Sequence, residues 1–239
     1  MREFTDSAWN LFGVKITDEQ LSAFETYERL LIEWNNRFNL TAIHEPKQIR
    51  VKHFLDSLSC VIAFRNTATD YIIDVGTGAG FPGLPLKIIC PRIKMTLVES
   101  VAKKAGFCEH IIQTINLSQV DILQERAETI ASQPDRREKG DWAIARAVAA
   151  LPVLVEYLLP LVRIGGFALA MKGETGPAEA QSAEHAINIL GGRLHQLIPV
   201  TLPGVEDERY LVVIEKIAAT PERFPRRVGI PAKRPLGAR

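Results

Sequence analysis

The chain has 239 residues, of which 46% are hydrophobic and 24% charged, and its formal net charge is +1. That balance suits a globular protein with a full core and excludes a disordered, charge-rich chain or one coated in positive charge. No apolar run reaches membrane-spanning length and Met1-Arg2-Glu3-Phe4-Thr5-Asp6 lacks the pattern of a secretion signal, so a cytoplasmic protein with no membrane partner is expected.

Residues 1–65 read as a helical extension. Thr17-Asp18-Glu19-Gln20 has capping-box spacing, with a hydroxyl at the cap and an amide three residues on. Leu21, Phe24, Leu31 and Trp34 then recur at helical spacing. After a loop over 35–41, a second helix is expected to begin near Pro46, with Ile49, Phe54, Leu58 and Val61 on its apolar side.

Residues 66–218 read as an α/β domain. Candidate strands span 71–75, 94–99, 119–123, 141–145, 166–171, 194–200 and 209–216, and candidate helices lie near 83–90, 102–115, 151–162 and 177–190. Strand–helix alternation with short links implies a mostly parallel sheet covered on both faces. Only the turn around 202–207 joins the last two strands, so an antiparallel hairpin should close the sheet. From 219 to 239 the chain is basic and proline-rich. Pro221, Pro225, Pro231 and Pro235 oppose regular structure, which leaves either a solvated tail or an arm that touches phosphates. The three cysteines, Cys60, Cys90 and Cys108, form no C-x-x-C and sit in apolar or helical surroundings. They read as buried free thiols, and no metal site is expected.

The richest stretch is Tyr71-Ile72-Ile73-Asp74-Val75-Gly76-Thr77-Gly78-Ala79-Gly80-Phe81-Pro82-Gly83. An apolar run ends on an acid and breaks into glycines, the pattern of a strand feeding the nucleoside-binding corner of an open α/β sheet. Glu99 ends the next strand, where an acid binds a ribose hydroxyl pair. NAD and S-adenosylmethionine both carry adenosine, so three features must separate them. Asp74 stands at the strand's carboxyl end, where it suits a cationic amino acid moiety and would repel a pyrophosphate. Pro82 removes a backbone N–H from a turn that would otherwise cradle phosphate. The closing hairpin departs from a fully parallel dinucleotide fold. The set favours an S-adenosylmethionine-dependent methyltransferase over a nicotinamide oxidoreductase.

Two further strand ends matter. In Gln124-Glu125-Arg126-Ala127-Glu128, Ala127 is expected to pack on adenine and Glu128 or backbone groups to bind its polar edge; the alternative for Glu128 is a solvent-exposed helix start. Asp141-Trp142-Ala143-Ile144-Ala145-Arg146-Ala147 ends the fourth strand, so Arg146 is expected to point at the methyl-transfer region; the alternative is an arginine that only caps a structural pair. Enzymes that methylate exocyclic amines often carry Asp or Asn, two prolines and an aromatic there. Ala145-Arg146-Ala147 lacks those acceptors and favours a nucleophile with no proton to lose.

Together the motifs resemble the bacterial small-subunit ribosomal RNA guanine-N7 methyltransferases (RsmG, also called glucose-inhibited division protein B). The resemblance rests on residues 34–41 (Trp-Asn-Asn-Arg-Phe-Asn-Leu-Thr), 53–58 (His-Phe-Leu-Asp-Ser-Leu), the glycine loop, Arg146-Ala147, Lys172-Gly173, residues 209–214 and the tail over 224–231. It covers nearly the whole chain. It implies a class I, Rossmann-like methyltransferase, S-adenosylmethionine as methyl donor, and 16S rRNA or a small-subunit particle as partner. The methyl would go to N7 of one guanine near the decoding site. The family's cofactor contacts fall on Gly76, Phe81, Ala127, Glu128 and Arg146, beside Asp74 and Gly78 of the glycine stretch and Glu99, which fits the ribose on physical grounds. Ala145 stands where many relatives have serine, and Glu99 where some have aspartate. Nothing in the sequence demands more than a monomer.

Guanine N7 offers a lone pair and no proton, so no general base is required and Arg146 serves positioning. Alignment of this kind is worth ~7–11 kcal/mol in well-oriented systems. Asn39, His53 and Asp56 are acceptor-side candidates; the alternative for them is a hydrogen-bonded network that pins the helices onto the sheet. Lys172, at the end of the fifth strand, is either a phosphate contact or a plain surface lysine. Arg50, Lys52, Arg226, Arg227, Lys233 and Arg234 are the candidate basic RNA surface. A non-catalytic RNA-binding factor, and a methyltransferase for a small molecule, are the remaining alternatives; the second leaves the basic tail unexplained.

Overall fold

In the computed structural model, residues 1–65 and 67–237 are described. Asn66, at the expected start of the sheet domain, and Arg239 of the basic tail lie outside them.

The chain opens with α1 (Arg2–Phe12) and α2 (Asp18–Phe38). The capping box forms as the sequence predicts: Gln20 N donates to Thr17 Oγ1 at 3.3 Å and Thr17 N to Gln20 Oε1 at 3.0 Å. The Gln20 amide also donates to the carbonyl of Ile88 at 3.0 Å, which fastens the helix start to the sheet layer. Helix α2 ends on Asn39 in the left-handed region (φ 50°), which an asparagine tolerates.

The expected second helix is broken into α3 (Pro46–Ile49), a π-helical turn (Arg50–Leu55), α4 (Asp56–Leu58) and α5 (Val61–Phe64). Ser57 Oγ donates to the carbonyl of His53 at 2.6 Å and Ser59 Oγ to that of Asp56 at 2.5 Å. Such back-bonding competes with the regular ladder, and widened turns of this kind cluster at functional sites. Here the turn directs both His53 and Asp56 toward the sheet.

The remainder runs β1 (Tyr71–Val75), α6 (Gly83–Ile89), β2 (Lys94–Val98), α7 (Ala102–Thr114), β3 (Val120–Leu123), α8 (Ala127–Ile130) and β4 (Gly140–Arg146). It continues through α9 (Leu151–Leu158), β5 (Val162–Lys172), α10 (Gly176–Ser182), α11 (Glu184–Ile189), β6 (Gly192–Val200), β7 (Arg209–Lys216) and α12 (Ile230–Lys233). The helix expected over 151–162 stops four residues early, because Pro160 falls in a 3-10 turn over Leu159–Leu161.

Seven strands form one sheet in the order β3-β2-β1-β4-β5-β7-β6. The first five are parallel, and β7 runs antiparallel to both β5 and β6. The predicted closing hairpin is present, with its second strand inserted between β5 and the first. Strand order reverses between β1 and β4, and in open α/β sheets ligands bind outside the carboxyl ends at such a point.

On one face of the sheet the core runs from Phe4, Phe24 and Phe54 of the N-terminal helices to Leu84, Trp142 and Val213 without a break. On the other face Leu154 and Leu158 of α9 and Ile187 of α11 cover Ile73, Ala143 and Val212. The tail is no solvated arm. Phe224 and Pro231 are buried, and Pro231 begins α12, where its missing N–H is no loss. Cys60 and Cys108 are buried free thiols as expected, while Cys90 is only half-buried.

Candidate active site

At the end of β1 the backbone turns through Gly76, Gly78 and Gly80 with φ of 68°, 63° and 94°, a region that only glycine enters freely. Asp74 is wholly buried beneath this loop. Its Oδ2 accepts from Thr77 Oγ1 at 2.6 Å and from Gly83 N at 2.8 Å, while Oδ1 is buried without a partner. Burial raises its carboxyl to about 6, and the two hydrogen bonds hold it from going higher. From its place at the strand's carboxyl end Asp74 is expected to face a cationic amino acid moiety. The structure instead makes it an internal clasp of the loop, with one oxygen left over.

Glu99, at the end of β2, closes the loop from the side. Its Oε2 accepts from Gly78 N at 2.9 Å and its Oε1 from Val101 N at 2.8 Å. Gly76, Ala127 and Glu128, all predicted cofactor residues, line one cavity of about 240 Å³ at the ends of β1 and β2. Glu128 is nearly buried, and its Oε1 accepts from Gly229 N of the tail at 2.9 Å, a partner the sequence did not suggest. The sequence reading also missed Tyr157, Val228 and Ala232, which line the same cavity. No local pattern marks them, because they reach it from α9 and from the far end of the chain.

Phe81 does not present its ring to this crevice. Its side chain is buried between Tyr27, stacked at 5.4 Å, and His53, stacked at 4.4 Å, with the Arg146 guanidinium 5.0 Å from the ring centre. The Tyr27 hydroxyl donates to the carbonyl of Ala79 at 2.5 Å, so α2 grips the glycine loop directly.

Arg146, the last residue of β4, is the hub. It donates to Asp56 Oδ2 at 2.8 Å, to the carbonyl of Lys52 at 3.0 Å and to His53 Nδ1 at 3.0 Å. Arginine has no acceptor, so His53 Nδ1 must be unprotonated and Nε2 carries the ring proton. That proton goes to Thr41 Oγ1 at 2.8 Å. Burial and the Arg146 charge lower His53 to about 3, which keeps the ring neutral. Asn35 completes the chain by pairing with both the N–H and the carbonyl of Thr41, each at 2.9 Å. The next residue, Ala147, has φ 55°, an uncommon backbone for a residue with a Cβ and one that clusters at functional sites.

Arg146, His53 and Asp56 therefore meet in one network, and it ties the helical layer to the sheet, as the alternative reading of His53 and Asp56 expects. Asn39 does not join them: its side chain is exposed at the helix end, and Asn35, one turn earlier on the buried face, holds the place.

The hub borders a second cavity of about 380 Å³, at the carboxyl ends of β4 and β5 and the start of β7. Lys52, Lys172 and Arg209 line it. Lys172 is not free: its Nζ meets Glu179 Oε2 at 2.7 Å and the carbonyl of Ala149 at 2.6 Å. Arg209 pairs with Asp56 Oδ1 at 3.3 Å and leaves its Nε buried without a partner. Arg209 was missed because only the sheet register, Tyr210 opposite Lys172, brings it here. Of the expected basic surface, Arg50 is held by Glu28 at 2.6 Å and Arg226 by Glu156 at 2.6 Å. Arg227, Lys233 and Arg234 are exposed.

The sequence profile of GidB, rRNA small subunit methyltransferase G, matches residues 20–207. The chain is 50% identical over 224 residues to the ribosomal RNA small subunit methyltransferase G of Pelotomaculum thermopropionicum, covering 94% of each chain. It is 48% identical over 232 residues to that of Chloroflexus aggregans, covering 97% of this chain and 95% of the relative. The chain belongs to the rRNA small subunit methyltransferase G family. Solved structures share the fold at low identity. TrmN from Thermus thermophilus superposes with TM-score 0.52 at 18% identity, over 70% of this chain and 53% of that one. M. jannaschii TYW2 in complex with AdoMet gives 0.52 at 15% identity, over 65% and 73%.

This family member is a methyltransferase, and the family's methyl donor is S-adenosylmethionine. The crevice suits that group: Gly76 turns its floor where an added Cβ would collide with Val148 at 2.6 Å, Val98 and Ala127 offer apolar atoms, and Glu128 keeps one carboxylate oxygen clear of the Gly229 N–H.

Proposed function

We propose that this methyltransferase modifies N7 of one guanine in 16S rRNA near the decoding site. The observation that carries the reading is the make-up of the cavity beside Arg146. Asp56 is the one carboxylate among its described lining residues, and two arginines hold it. His53 is neutral, and its Nδ1 already accepts from Arg146. The cavity thus contains no group poised to take a proton, which suits a nucleophile that has none to give.

When bound, S-adenosylmethionine supplies an electrophilic methyl group on a sulfonium sulfur. Gly76 and Gly78 would let the backbone approach it, Glu99 would bind its ribose, and Ala127 and Glu128 its adenine. Arg146 positions rather than reacts. Asp56 offsets part of its charge while also pairing with Arg209, so the guanidinium that a cationic purine would meet is already held by a carboxylate. Lys52 and Arg209 at the cavity, with exposed Arg227, Lys233 and Arg234 on the tail, would take RNA phosphates or the guanine O6.

The test uses ribosomal RNA from cells with and without the gene, treated with borohydride and aniline, which break the chain at N7-methylguanosine. One gene-dependent break near the decoding site is expected. A gene-dependent methyl on N1, N2 or a ribose oxygen, or no gene-dependent change in the small-subunit RNA, overturns the reading.

A further inference from the structure

The tail lies beyond the segment that defines the family match, yet it is built into the molecule. Arg226 forks onto Glu156, a wholly buried carboxylate on α9, through Nε at 2.9 Å and a terminal nitrogen at 2.6 Å. Arg137 holds the segment from the other side, donating to the carbonyls of Phe224 and Thr220, each at 2.7 Å. Between these anchors and α12 the chain crosses the mouth of the 240 Å³ cavity, where Val228, Gly229 and Ala232 stand with Ala127 and Val98 of the sheet side. The N–H of Gly229 fixes one oxygen of Glu128.

We propose that the C-terminal segment over 224–233 is a wall of the adenine pocket, with Val228, Gly229 and Ala232 as cofactor-contacting positions. The inference rests on reading this crevice as the S-adenosylmethionine site. A purine is flat and binds best when both faces meet apolar atoms and its edge meets a few fixed polar groups. The sheet side supplies Val98 and Ala127; the tail supplies Val228 and Ala232. Gly229 orients Glu128 through one oxygen and leaves the other to accept from the purine amine. Val228 and Ala232 reach the cavity from a segment that also carries the exposed Arg227, Lys233 and Arg234.

The test is calorimetric titration of the full-length protein with S-adenosylhomocysteine. It compares the parent with three forms: a deletion of 221–239, Ala232→Phe and Glu99→Ala. Deletion and Ala232→Phe should each weaken binding about tenfold or more, equivalent to at least 1.4 kcal/mol. The deletion removes the partners of Glu156 and Arg137; if it fails to unfold cooperatively, Ala232→Phe decides. Folded tail variants that bind as tightly as the parent, while Glu99→Ala binds weakly, overturn this inference and leave the crevice reading standing. If Glu99→Ala also binds as the parent does, the crevice reading falls and takes the inference with it. A deletion that loses only affinity for a 16S rRNA fragment makes the tail an RNA arm and overturns the inference as well.

Discussion

Arg146 reaches a carboxylate, a carbonyl, an imidazole and an aromatic face through one planar fork. A lysine keeps the charge and loses the geometry. Arg146→Lys is therefore expected to fold and to lower kcat for methyl transfer about a hundredfold, the usual penalty of misplacement by an ångström. Labelled-methyl transfer to small-subunit RNA checks this. Arg146→Ala leaves Asp56 buried with Arg209 alone and should also destabilise, by about 3 kcal/mol. Two buried groups give opposite pH signatures. His53 titrates near 3 in the fold and near 6.5 when unfolded, so stability is lost as pH falls from about 6.5 toward 3. Asp74 titrates near 6 in the fold and near 3.8 unfolded, so its contribution grows as pH falls through about 6 toward 4. In urea titrations His53→Gln should flatten the acid loss, and Asp74→Asn should steepen it. Parallel curves for parent and variants would contradict both assignments. At this scale the sequence placed Arg146 at a strand end and His53 and Asp56 on one helix face, but not in contact with one another. It hid their partners: Asn35 and Arg209 enter through a helix phase and a strand register that no local spacing encodes.

Elements follow local chemistry where that chemistry is complete. The α2 capping box is legible because hydroxyl and amide both lie within four residues, and it also holds the Ile88 carbonyl. Thr17→Ala should cost about 1 kcal/mol of unfolding free energy by urea denaturation. An unchanged midpoint would mean that packing of Phe24 and Tyr27 alone sets the helix. All seven strands were legible because apolar runs end on glycine, proline or charge. The π-helical turn was not: no spacing in Arg50–Leu55 marks it, and Ser57 and Ser59, just after it, bond back to carbonyls rather than showing in the apolar pattern. Nor was the docking of the tail: prolines announce an irregular chain, and only the buried Glu156 and Glu128 on other elements give it a seat.

For the whole molecule, a net charge of +1 means that RNA affinity must come from where cations sit, not from their number. Arg50 and Arg226 are neutralised by Glu28 and Glu156, so they should add little. Replacing Arg227, Lys233 and Arg234 together by glutamine should flatten the log–log salt dependence of RNA binding by about 2, at ~0.7 per single-strand phosphate. Filter binding across a potassium chloride series reads this slope, and an unaltered slope would move the RNA path to another face. The fold class was legible as alternation, but strand order was not. An antiparallel hairpin at the end of the sequence is equally compatible with either of its strands lying beside β5.

That order has a consequence for synthesis on the ribosome. β7, late in the sequence, is the strand that bridges β5 and β6. Until Lys216 has cleared the exit tunnel, β5 keeps a row of open amides and carbonyls, and β6 has no neighbour to join. Nascent chains halted between residues 200 and 209 should therefore be captured by chaperones or clump, whereas chains released past residue 216 seal the edge in one step.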